Sequence, residues 1–379
     1  MARILILGAG FGGIATATRL RPLLGPEDEV ILVDRRADFA MGLRKTWAII
    51  GTHPMDEGVR PLAELRSRGI NVRQATVESL DPTRRSVRID GETLEADAIV
   101  VALGAEQVPG AIPGLAQHGM NAWDRAQTDR AHDALASLER GRLLVGVFGT
   151  PYACPPGPFE LALLAGEELR ARGADVTVEV FGPMPIALPV VGPVESAKVE
   201  ALLATAGIPF HRAHVPVSVQ DGAVNFADGS ELGFDLLLAV PPHRCPRLLV
   251  EAGLAAEGGW VGVDRATLAT PFPGIYAIGD CTVIKLANGL PLPKAGLFAE
   301  AEGHAVAEQI AASLAGRTTA AQFAGEGACY AEVAGGRAIE ITGRFLADPP
   351  EIEIAEPSEA HMAGKLAFER DRLTAWFGG

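Results

Sequence analysis

The side chains in this 379-residue chain that are best suited to redox chemistry belong to four cysteines, Cys154, Cys245, Cys281 and Cys329. Two thiols can be oxidised to a disulfide and a thiolate can attack a disulfide sulfur, so a cysteine pair can carry two electrons. The four lie far apart in the sequence and none forms a C-x-x-C pair, which argues against a zinc site. Prolines follow Cys154 directly in residues 152–160 (YACPPGPFE), and they predict a rigid loop around that thiol.

A glycine-rich turn close to the N-terminus has the pattern of a dinucleotide-binding site. An apolar strand at residues 4–7 runs into the sequence GAGFGG, a helix follows, and the next strand ends in Asp34. In this pattern Gly8 permits a tight turn, Gly10 lets the backbone approach a pyrophosphate, and Gly13 brings helix and strand together. The helix N-terminus attracts phosphate, and an acidic residue about 20 positions further on binds the ribose hydroxyls. The predicted contacts in this unit are Gly8, Gly10, Phe11, Gly12, Gly13, Asp34 and Arg35.

Two later segments favour FAD over NAD as the ligand of this unit. Residues 98–105 (AIVVALGA) resemble the strand and glycine turn of the two-dinucleotide-domain flavoproteins, and residues 274–282 (GIYAIGDCT) resemble their second FAD fingerprint. The resemblance implies an α/β fold of the glutathione-reductase kind, with two Rossmann-like dinucleotide-binding domains and a small C-terminal region. It also implies that the FAD contacts include Ala102, Gly104, Gly279, Asp280, Lys294 and Gly296. Cys281 is then interpreted as a small buried residue beside the fingerprint.

The second domain has the corresponding strand and turn, but the turn differs in composition. Residues 146–158 read GVFGTPYACPPGP, where NADH-binding relatives would repeat the glycine motif. Proline has no N–H group, and its ring obstructs the close approach of a phosphate. We therefore expect that this domain does not bind a nicotinamide nucleotide and that the loop carries other chemistry.

The loop around Cys154 resembles the active-site segment of flavocytochrome c sulfide dehydrogenase flavoprotein subunits and the cysteine loop of sulfide:quinone oxidoreductases. Residues 327–330 (GACY) place Cys329 where these families have a second cysteine, and residues 293–296 (PKAG) match a P-K-x-G turn between the two. The resemblance covers essentially the whole chain. It implies that a disulfide between Cys154 and Cys329 lies over the flavin and is attacked by hydrosulfide, giving a persulfide and a thiolate. Electrons then pass through the flavin to a quinone, a cytochrome or another acceptor.

Two further residues are predicted to assist this chemistry. Lys294 and the N-terminus of the helix after Gly296 are expected near the flavin, where positive potential stabilises the anionic reduced form. Glu160 is a candidate proton shuttle, although a glutamate in a first helical turn often serves only the helix dipole. Cys245 has no counterpart in the resemblance and is interpreted as structural.

Several features depart from the two families. Residues 39–43 contain no cysteine, although flavocytochrome subunits attach FAD there, so FAD is expected to be non-covalent. No cysteine precedes Cys154, whereas the quinone reductases commonly have a third one. A quinone needs an apolar slot, for which Phe323 and Phe345 are candidates. Residues 373–379 (LTAWFGG) are expected to pack on the protein itself or to dock on a membrane or a second subunit.

Composition restricts the partners and the location. The formal net charge of −14 disfavours nucleic acid and simple electrostatic docking on anionic lipid. No apolar run approaches the roughly 20 residues needed to span a bilayer, and the N-terminus has no export-signal pattern. The expected protein is cytoplasmic, either soluble or peripheral on the inner membrane face. The sequence leaves open whether it is a monomer or a homo-oligomer.

The order of the motifs predicts three regions. Residues 1–112 and 234–318 are expected to form a discontinuous FAD-binding domain, with the strand Leu236–Val240 returning the chain to it. Residues 113–233 are expected to form the second Rossmann-like domain, and residues 319–379 the C-terminal region.

Two other functions remain compatible with the sequence. A type II NADH:quinone dehydrogenase shares the fold and the first-domain motifs, but it needs a nucleotide-binding second domain and no cysteine pair. A non-catalytic flavin or thiol redox sensor would signal through partners. Steady turnover with sulfide and a soluble quinone would exclude the sensor.

Overall fold

The computed structural model describes residues 1–378. The strands are β1 (Arg3–Leu7), β2 (Glu29–Asp34), β3 (Asp38–Ala40), β4 (Val59–Pro61), β5 (Asn71–Gln74), β6 (Val77–Asp81), β7 (Ser86–Ile89), β8 (Glu92–Glu95), β9 (Ala98–Val101), β10 (Glu106–Gln107), β11 (Met120–Asn121), β12 (Arg140–Val147), β13 (Asp175–Phe181), β14 (Phe210–His211), β15 (Pro216–Gln220), β16 (Ala223–Phe226), β17 (Glu231–Gly233), β18 (Leu236–Val240), β19 (His243–Arg244), β20 (Val261–Gly262), β21 (Ile275–Ala277), β22 (Thr282–Val283), β23 (Glu326–Val333), β24 (Arg337–Arg344) and β25 (Glu351–Ile354). The α-helices are α1 (Phe11–Leu20), α2 (Arg44–Ile50), α3 (Leu115–His118), α4 (Thr128–Ser137), α5 (Gly157–Ala171), α6 (Gly192–Thr205), α7 (Arg247–Glu251), α8 (Gly296–Leu314) and α9 (Glu359–Phe377).

Five parallel strands in the order β21-β9-β1-β2-β5 form the sheet of the first domain. Successive residues of β1 face two different cores, as the alternation of a strand requires. Ile4 and Ile6 face the core under α1 and α8, whereas Leu5 and Leu7 face a core closed by the antiparallel sheet β6-β7-β8. Because both faces are covered, the strand is apolar throughout. This first βαβ unit agrees with its prediction from the sequence.

The second domain is built on another parallel sheet, in the order β11-β18-β12-β13-β14. The strand Leu236–Val240 is β18, and it pairs with β12 in the register Leu236↔Leu143 to Val240↔Val147. The prediction that this strand returns the chain to the first domain was therefore wrong. Its sequence, LLLAV, is buried at every position, and such a run fits the middle of either sheet. The remaining domain boundaries stay predictions.

The C-terminal region consists of the antiparallel sheet β23-β24-β25 and the helix α9. The end of α9 packs on the first domain, because Trp376 stands edge-on to Phe11 and Phe39, with ring centroids 5.4 and 5.5 Å away. Trp376 is 3% exposed, so the apolar side of the tail covers the protein's own core. Within residues 1–378, no helix combines the length and the apolar character that crossing a membrane requires.

Candidate active site

A cavity of about 1330 Å³ lies where the first domain, the Cys154 loop and the C-terminal sheet meet. The carboxyl ends of β1, β2 and β9 open into it, which is where ligands bind in open α/β sheets. Its volume exceeds the roughly 300–1,000 Å³ of most small-molecule pockets, so it suits a long ligand together with a substrate. Apart from Gly13, every predicted catalytic or FAD-binding residue lines it: Gly8, Gly10, Phe11, Gly12, Asp34, Arg35, Ala102, Gly104, Cys154, Glu160, Gly279, Asp280, Lys294, Gly296 and Cys329.

The glycine turn after β1 has the shape of a phosphate cradle. Gly8 has a φ of +100°, and a Cβ atom there would lie 2.3 Å from the backbone oxygen of Ala102. A Cβ atom on Gly13 would lie 1.8 Å from the backbone oxygen of Gly8, so Gly13 acts behind the cavity wall by bringing helix and strand together. A Cβ atom on Gly10 would meet no atom within 4 Å, which leaves space over the N-terminus of α1. These residues fit the pyrophosphate of FAD.

The acidic residue at the end of β2 is held in place by the same turn. Asp34 accepts a hydrogen bond of 2.7 Å from the Ala9 backbone N–H and one of 2.8 Å from the Arg36 backbone N–H. Its side chain therefore lies beside the glycine cradle and lines the cavity. Contact between Asp34 and the ribose hydroxyls remains a prediction.

The second fingerprint turn is fixed by a buried lysine. Lys294 is 6% exposed, and its ammonium donates to the backbone oxygens of Asp280 and Thr282 at 2.6 and 3.1 Å. The same ammonium lies 3.3 Å from the ring centroid of Trp260. Burial lowers the pKa of Lys294, and it raises the pKa of Asp280. The Lys294 ammonium thus binds the loop that carries Asp280, and its expected action on the flavin remains a prediction.

The loop of Cys154 is held in an unusual backbone conformation. Cys154 has a φ of +57°, and its N–H donates to the backbone oxygen of Lys294 at 2.8 Å. The indole N–H of Trp123 donates to the backbone oxygen of Ala153 at 2.7 Å. A Cβ atom on Gly157 would lie 2.8 Å from the Trp123 ring and 3.2 Å from the Cys154 sulfur, so glycine makes room for the thiol. The loop therefore presents the Cys154 side chain to the cavity.

The structure brings the two predicted redox cysteines into the same cavity from distant parts of the chain. Cys154 is exposed to the cavity, Cys329 on β23 is partly buried, and both are free thiols. Desolvation by the surrounding protein raises the pKa of Cys154 to about 11, and the charge of Glu160 adds to that effect. Burial raises the pKa of Cys329 to about 12, and a Cys154 thiolate would raise it further. Both groups are therefore thiols at neutral pH in this state.

The other two cysteines lie outside this cavity and pack together in the first domain. Cys245 is 3% exposed and Cys281 is fully buried. The Cys245 sulfur lies 3.8 Å from the backbone oxygen of Cys281. Burial raises the pKa of Cys245 to about 11 and that of Cys281 to about 12, so both are poor nucleophiles. This environment suits the structural interpretation of both residues.

A buried ion-pair network adjoins the two redox cysteines. Glu160 lies in the first turn of α5, and one of its carboxylate oxygens is 2.7 Å from the ammonium of Lys365. The other oxygen accepts a hydrogen bond of 3.0 Å from the backbone N–H of Glu332. Lys365 is 2% exposed, and it also lies 3.4 Å from a carboxylate oxygen of Glu332 and 4.7 Å from the Trp47 ring centroid. Burial raises the pKa of Glu160, while Lys365 opposes that shift. The carboxyl of Glu160 is thus tied to the C-terminal helix.

Sequence reasoning missed Lys365. It stands in a helix that contains charged residues on several sides, and its spacing gave no sign that it is buried against a residue 205 positions earlier.

The aromatic side chains that line the cavity were predicted in part. Phe345 lines the cavity, whereas Phe323 is buried in the core of the first domain, away from the lining residues. Phe368 of α9, which was not predicted, also lines the cavity.

The chain is similar to known flavoenzymes. The family described as pyridine nucleotide-disulphide oxidoreductase matches residues 2–303. The mitochondrial sulfide:quinone oxidoreductase of Mus musculus is 24% identical over 298 residues, which make up 74% of this chain and 65% of that protein. The type II NADH:quinone oxidoreductase of Staphylococcus aureus (strain NCTC 8325 / PS 47) is 24% identical over 338 residues, 84% of each protein.

A solved structure gives the same architecture. The sulfide:quinone oxidoreductase from Aquifex aeolicus superposes with a TM-score of 0.91 at 23% identity, over 100% of this chain and 92% of that one. This likeness confirms the predicted α/β fold of two dinucleotide-binding domains. The family match extends over most of the chain and includes the glycine cradle, the Cys154 loop and the second fingerprint turn. The chain therefore belongs to the pyridine nucleotide-disulphide oxidoreductase family.

Proposed function

We propose that this protein is an FAD-dependent oxidoreductase that oxidises sulfide through Cys154 and Cys329 and delivers the electrons to a quinone. The observation that carries the proposal is the presence of both thiols in the cavity that also contains the glycine cradle. Sulfide:quinone oxidoreductases among the similar proteins support the same assignment. FAD binds without a covalent bond, because residues 39–43 offer no cysteine.

The two cysteines handle the sulfur atom. In the oxidised enzyme they form a disulfide, which hydrosulfide attacks to give a persulfide on one cysteine and a thiolate on the other. Oxidation of one hydrosulfide to zero-valent sulfur releases two electrons and one proton. FAD, when bound, accepts the two electrons and passes them to the acceptor. The sulfur leaves when a further sulfur nucleophile takes it from the persulfide, which leaves two thiols, and their reoxidation to the disulfide releases the two electrons that FAD would accept.

Glu160 holds the proton of this reaction. Its carboxyl is next to the thiols, and burial raises its pKa, so it can bind a proton at a higher pH than an exposed carboxyl. Lys365 and the Glu332 backbone N–H fix the orientation of both carboxyl oxygens. Lys294 positions the Cys154 loop through its backbone oxygen and the Asp280 turn through its ammonium.

A quinone suits the apolar part of the cavity. Phe345 and Phe368 line it beside Cys329, and an aromatic ring system can pack against such side chains. Quinone acceptors also appear in the names of several similar proteins. A cytochrome remains the alternative acceptor. A quinone substrate would require peripheral contact with the membrane that contains it.

The NADH-oxidising alternative is supported by the similar Staphylococcus protein. The backbone N–H groups of the second-domain turn argue against this alternative. The N–H of Cys154 donates to Lys294, that of Gly157 donates to Cys154, and those of Phe159 and Glu160 both donate to Pro156. Pro155, Pro156 and Pro158 have no N–H at all. Around Cys154 the N–H groups are therefore either engaged or missing, which disfavours a pyrophosphate there, so we favour sulfide as the electron donor.

Anaerobic rapid mixing tests the proposal. The FAD-loaded protein is mixed separately with sulfide and with NADH, and the loss of the oxidised flavin absorbance is followed. Sulfide should bleach the flavin, NADH should not, and a soluble quinone should restore the absorbance. Bleaching by NADH alone would assign the protein to the NADH dehydrogenases. The absence of steady turnover with sulfide and quinone would favour a redox sensor.

A further inference from the structure

Three lysines line the cavity, and two of them are fully engaged by the protein. Lys294 donates to the backbone oxygens of Asp280 and Thr282, and Lys365 is paired with Glu160. The third, Lys45, is half-buried, and its ammonium makes no ion pair or hydrogen bond to any residue in the described range 1–378. An enclosed ammonium without a partner is costly, so its presence in the cavity points to an anionic ligand.

Two consecutive residues of α2, Arg44 and Lys45, have different surroundings. Arg44 points away from the thiols, where it pairs with Glu369 at 2.5 Å and with Glu57 at 2.7 Å. Lys45 lines the cavity together with Cys154, and the charges that act on its ammonium are those of Cys154, Arg36, Asp280 and Asp124. Arg44 thus holds the C-terminal helix α9, whereas Lys45 presents an unpaired positive charge to the cavity that contains Cys154.

We propose that Lys45 binds the anionic sulfur substrate and directs it to Cys154. This inference rests on the proposed function, since it assigns the recognition of hydrosulfide to a residue of the same site. The chain has a net charge of −14, which repels small anions at long range, so a local cation inside the cavity is needed to concentrate them.

The electrostatics of the two side chains agree with this arrangement. Enclosure lowers the pKa of Lys45, and a Cys154 thiolate is the strongest of the charges that raise it again. Conversely, Lys45 lowers the pKa of Cys154 against the effect of desolvation. Each group therefore favours the charged form of the other, and an anion that reaches Cys154 meets the same cation.

A pair of alkylating reagents that differ in charge tests the proposal without relying on turnover. Iodoacetate is an anion and iodoacetamide is neutral, and both react with the same thiolate. The ratio of their rates at Cys154, measured by peptide mass analysis on the reduced FAD-loaded protein, therefore isolates the attraction of an anion to the site. Lys45→Gln should lower that ratio about tenfold, as expected from the loss of one nearby charge in a partly screened cavity. Lys45→Arg should preserve the ratio.

The control is Lys285→Gln, which removes one positive charge from an exposed residue outside the cavity. It should leave the ratio unchanged. A ratio that is equal in wild type and Lys45→Gln would overturn the proposal. Loss of FAD from Lys45→Gln together with an unchanged ratio would also overturn it, by assigning Lys45 to the cofactor.

Sulfide kinetics separate this inference from the proposed function. If wild type is reduced by sulfide, Lys45→Gln should raise the sulfide KM about tenfold with little change in kcat, and Lys45→Arg should restore it. If sulfide does not reduce wild type, the proposed function fails, while a Lys45-dependent reagent ratio would still support an anion site at Cys154. If sulfide reduces all variants equally, the proposed function stands and the role of Lys45 is refuted.

Discussion

The two Rossmann-like domains have the same strand-turn-helix unit, but the turn of the first is open to a ligand and the turn of the second carries a cysteine. In the first, the turn after β1 is open above Gly10, and no side chain caps the N-terminus of α1. In the second, the N–H groups of Cys154, Gly157, Phe159 and Glu160 donate to backbone oxygens, and Cys154 is held at a φ of +57°. Free N–H groups favour a phosphate, whereas a proline-rich turn with engaged N–H groups around a cysteine favours a reactive side chain.

The comparison shows how one topology can serve two purposes. Both turns lie at the carboxyl end of a parallel strand, and both face the same cavity. In the proposed function, the first supplies the place for FAD and the second supplies the sulfur chemistry beside it. Changes to either turn test whether the first one binds the cofactor and the second one reacts.

The largest expected effect concerns the reactive turn. Cys154→Ser and Cys329→Ser should each lower sulfide-dependent quinone reduction by about 10³-fold or more, because serine cannot form the disulfide that is attacked. FAD content should remain unchanged in both variants, since the first turn is untouched. Cys245→Ala, outside the cavity, is the control and should retain activity. Steady-state turnover with a soluble quinone measures the effect, and an active Cys154→Ser would abolish the distinction between the turns.

The next effect concerns the ion pair behind the reactive turn. Lys365→Met leaves the buried carboxyl of Glu160 without its cation, and this should lower the free energy of unfolding by about 3–5 kcal/mol. Arg247→Met removes an exposed arginine that pairs with Glu251 and Glu257, and this should lower the free energy of unfolding far less. Urea unfolding of the two variants gives the comparison. Equal losses would mean that the network around Glu160 does not support the site.

Two glycines of the binding turn should respond differently to the same change. In Gly13→Ala the new Cβ meets the Gly8 backbone oxygen, so the variant should lose about 1–3 kcal/mol of stability as well as FAD. In Gly10→Ala the new Cβ meets no protein atom but enters the space for the pyrophosphate. That variant should bind FAD more weakly while the thermal stability of the apoprotein stays near wild type. Unimpaired FAD binding by Gly10→Ala would show that the cradle lies elsewhere.

The last prediction concerns the pH dependence of the reactive thiol. Because desolvation raises the pKa of Cys154 to about 11, its thiolate is scarce at neutral pH and becomes more abundant as pH rises towards that value. Alkylation of Cys154 by iodoacetamide in the reduced protein should therefore accelerate about tenfold per pH unit between pH 7 and 10. Cys245 and Cys281 should stay unlabelled while the protein is folded. A rate that levels off near pH 8 would indicate an ordinary thiol.

Much of the binding turn could be predicted from the sequence, because its demands are local. The glycines of residues 8–13 are required by backbone shape within one βαβ unit, and that unit is contiguous in the chain. The reactive turn could be predicted only in part. The prolines next to Cys154 mark its loop in the sequence. Its φ of +57° and the hydrogen bond from its backbone N–H to the Lys294 backbone oxygen depend on a segment 140 positions later in the chain.

Contacts between residues of distant elements could not be predicted from local sequence patterns. Nothing near Lys365 indicates that it reaches Glu160, and the strand Leu236–Val240 is apolar enough for either sheet. Lys294 was expected to act on the flavin, but the position of its ammonium follows from two backbone oxygens and Trp260, which only the assembled fold provides. Long-range packing, rather than propensity, decides such positions.

The central claim is that sulfur is transferred to the paired thiols that face the cradle. The most direct measurement is mass analysis of the cysteine peptides after the oxidised protein has been treated anaerobically with one equivalent of sulfide and trapped with an alkylating reagent. The account predicts one additional sulfur atom on Cys154 or Cys329 and none on Cys245 or Cys281. Flavin reduction by sulfide without any sulfur added to either Cys154 or Cys329 would contradict it.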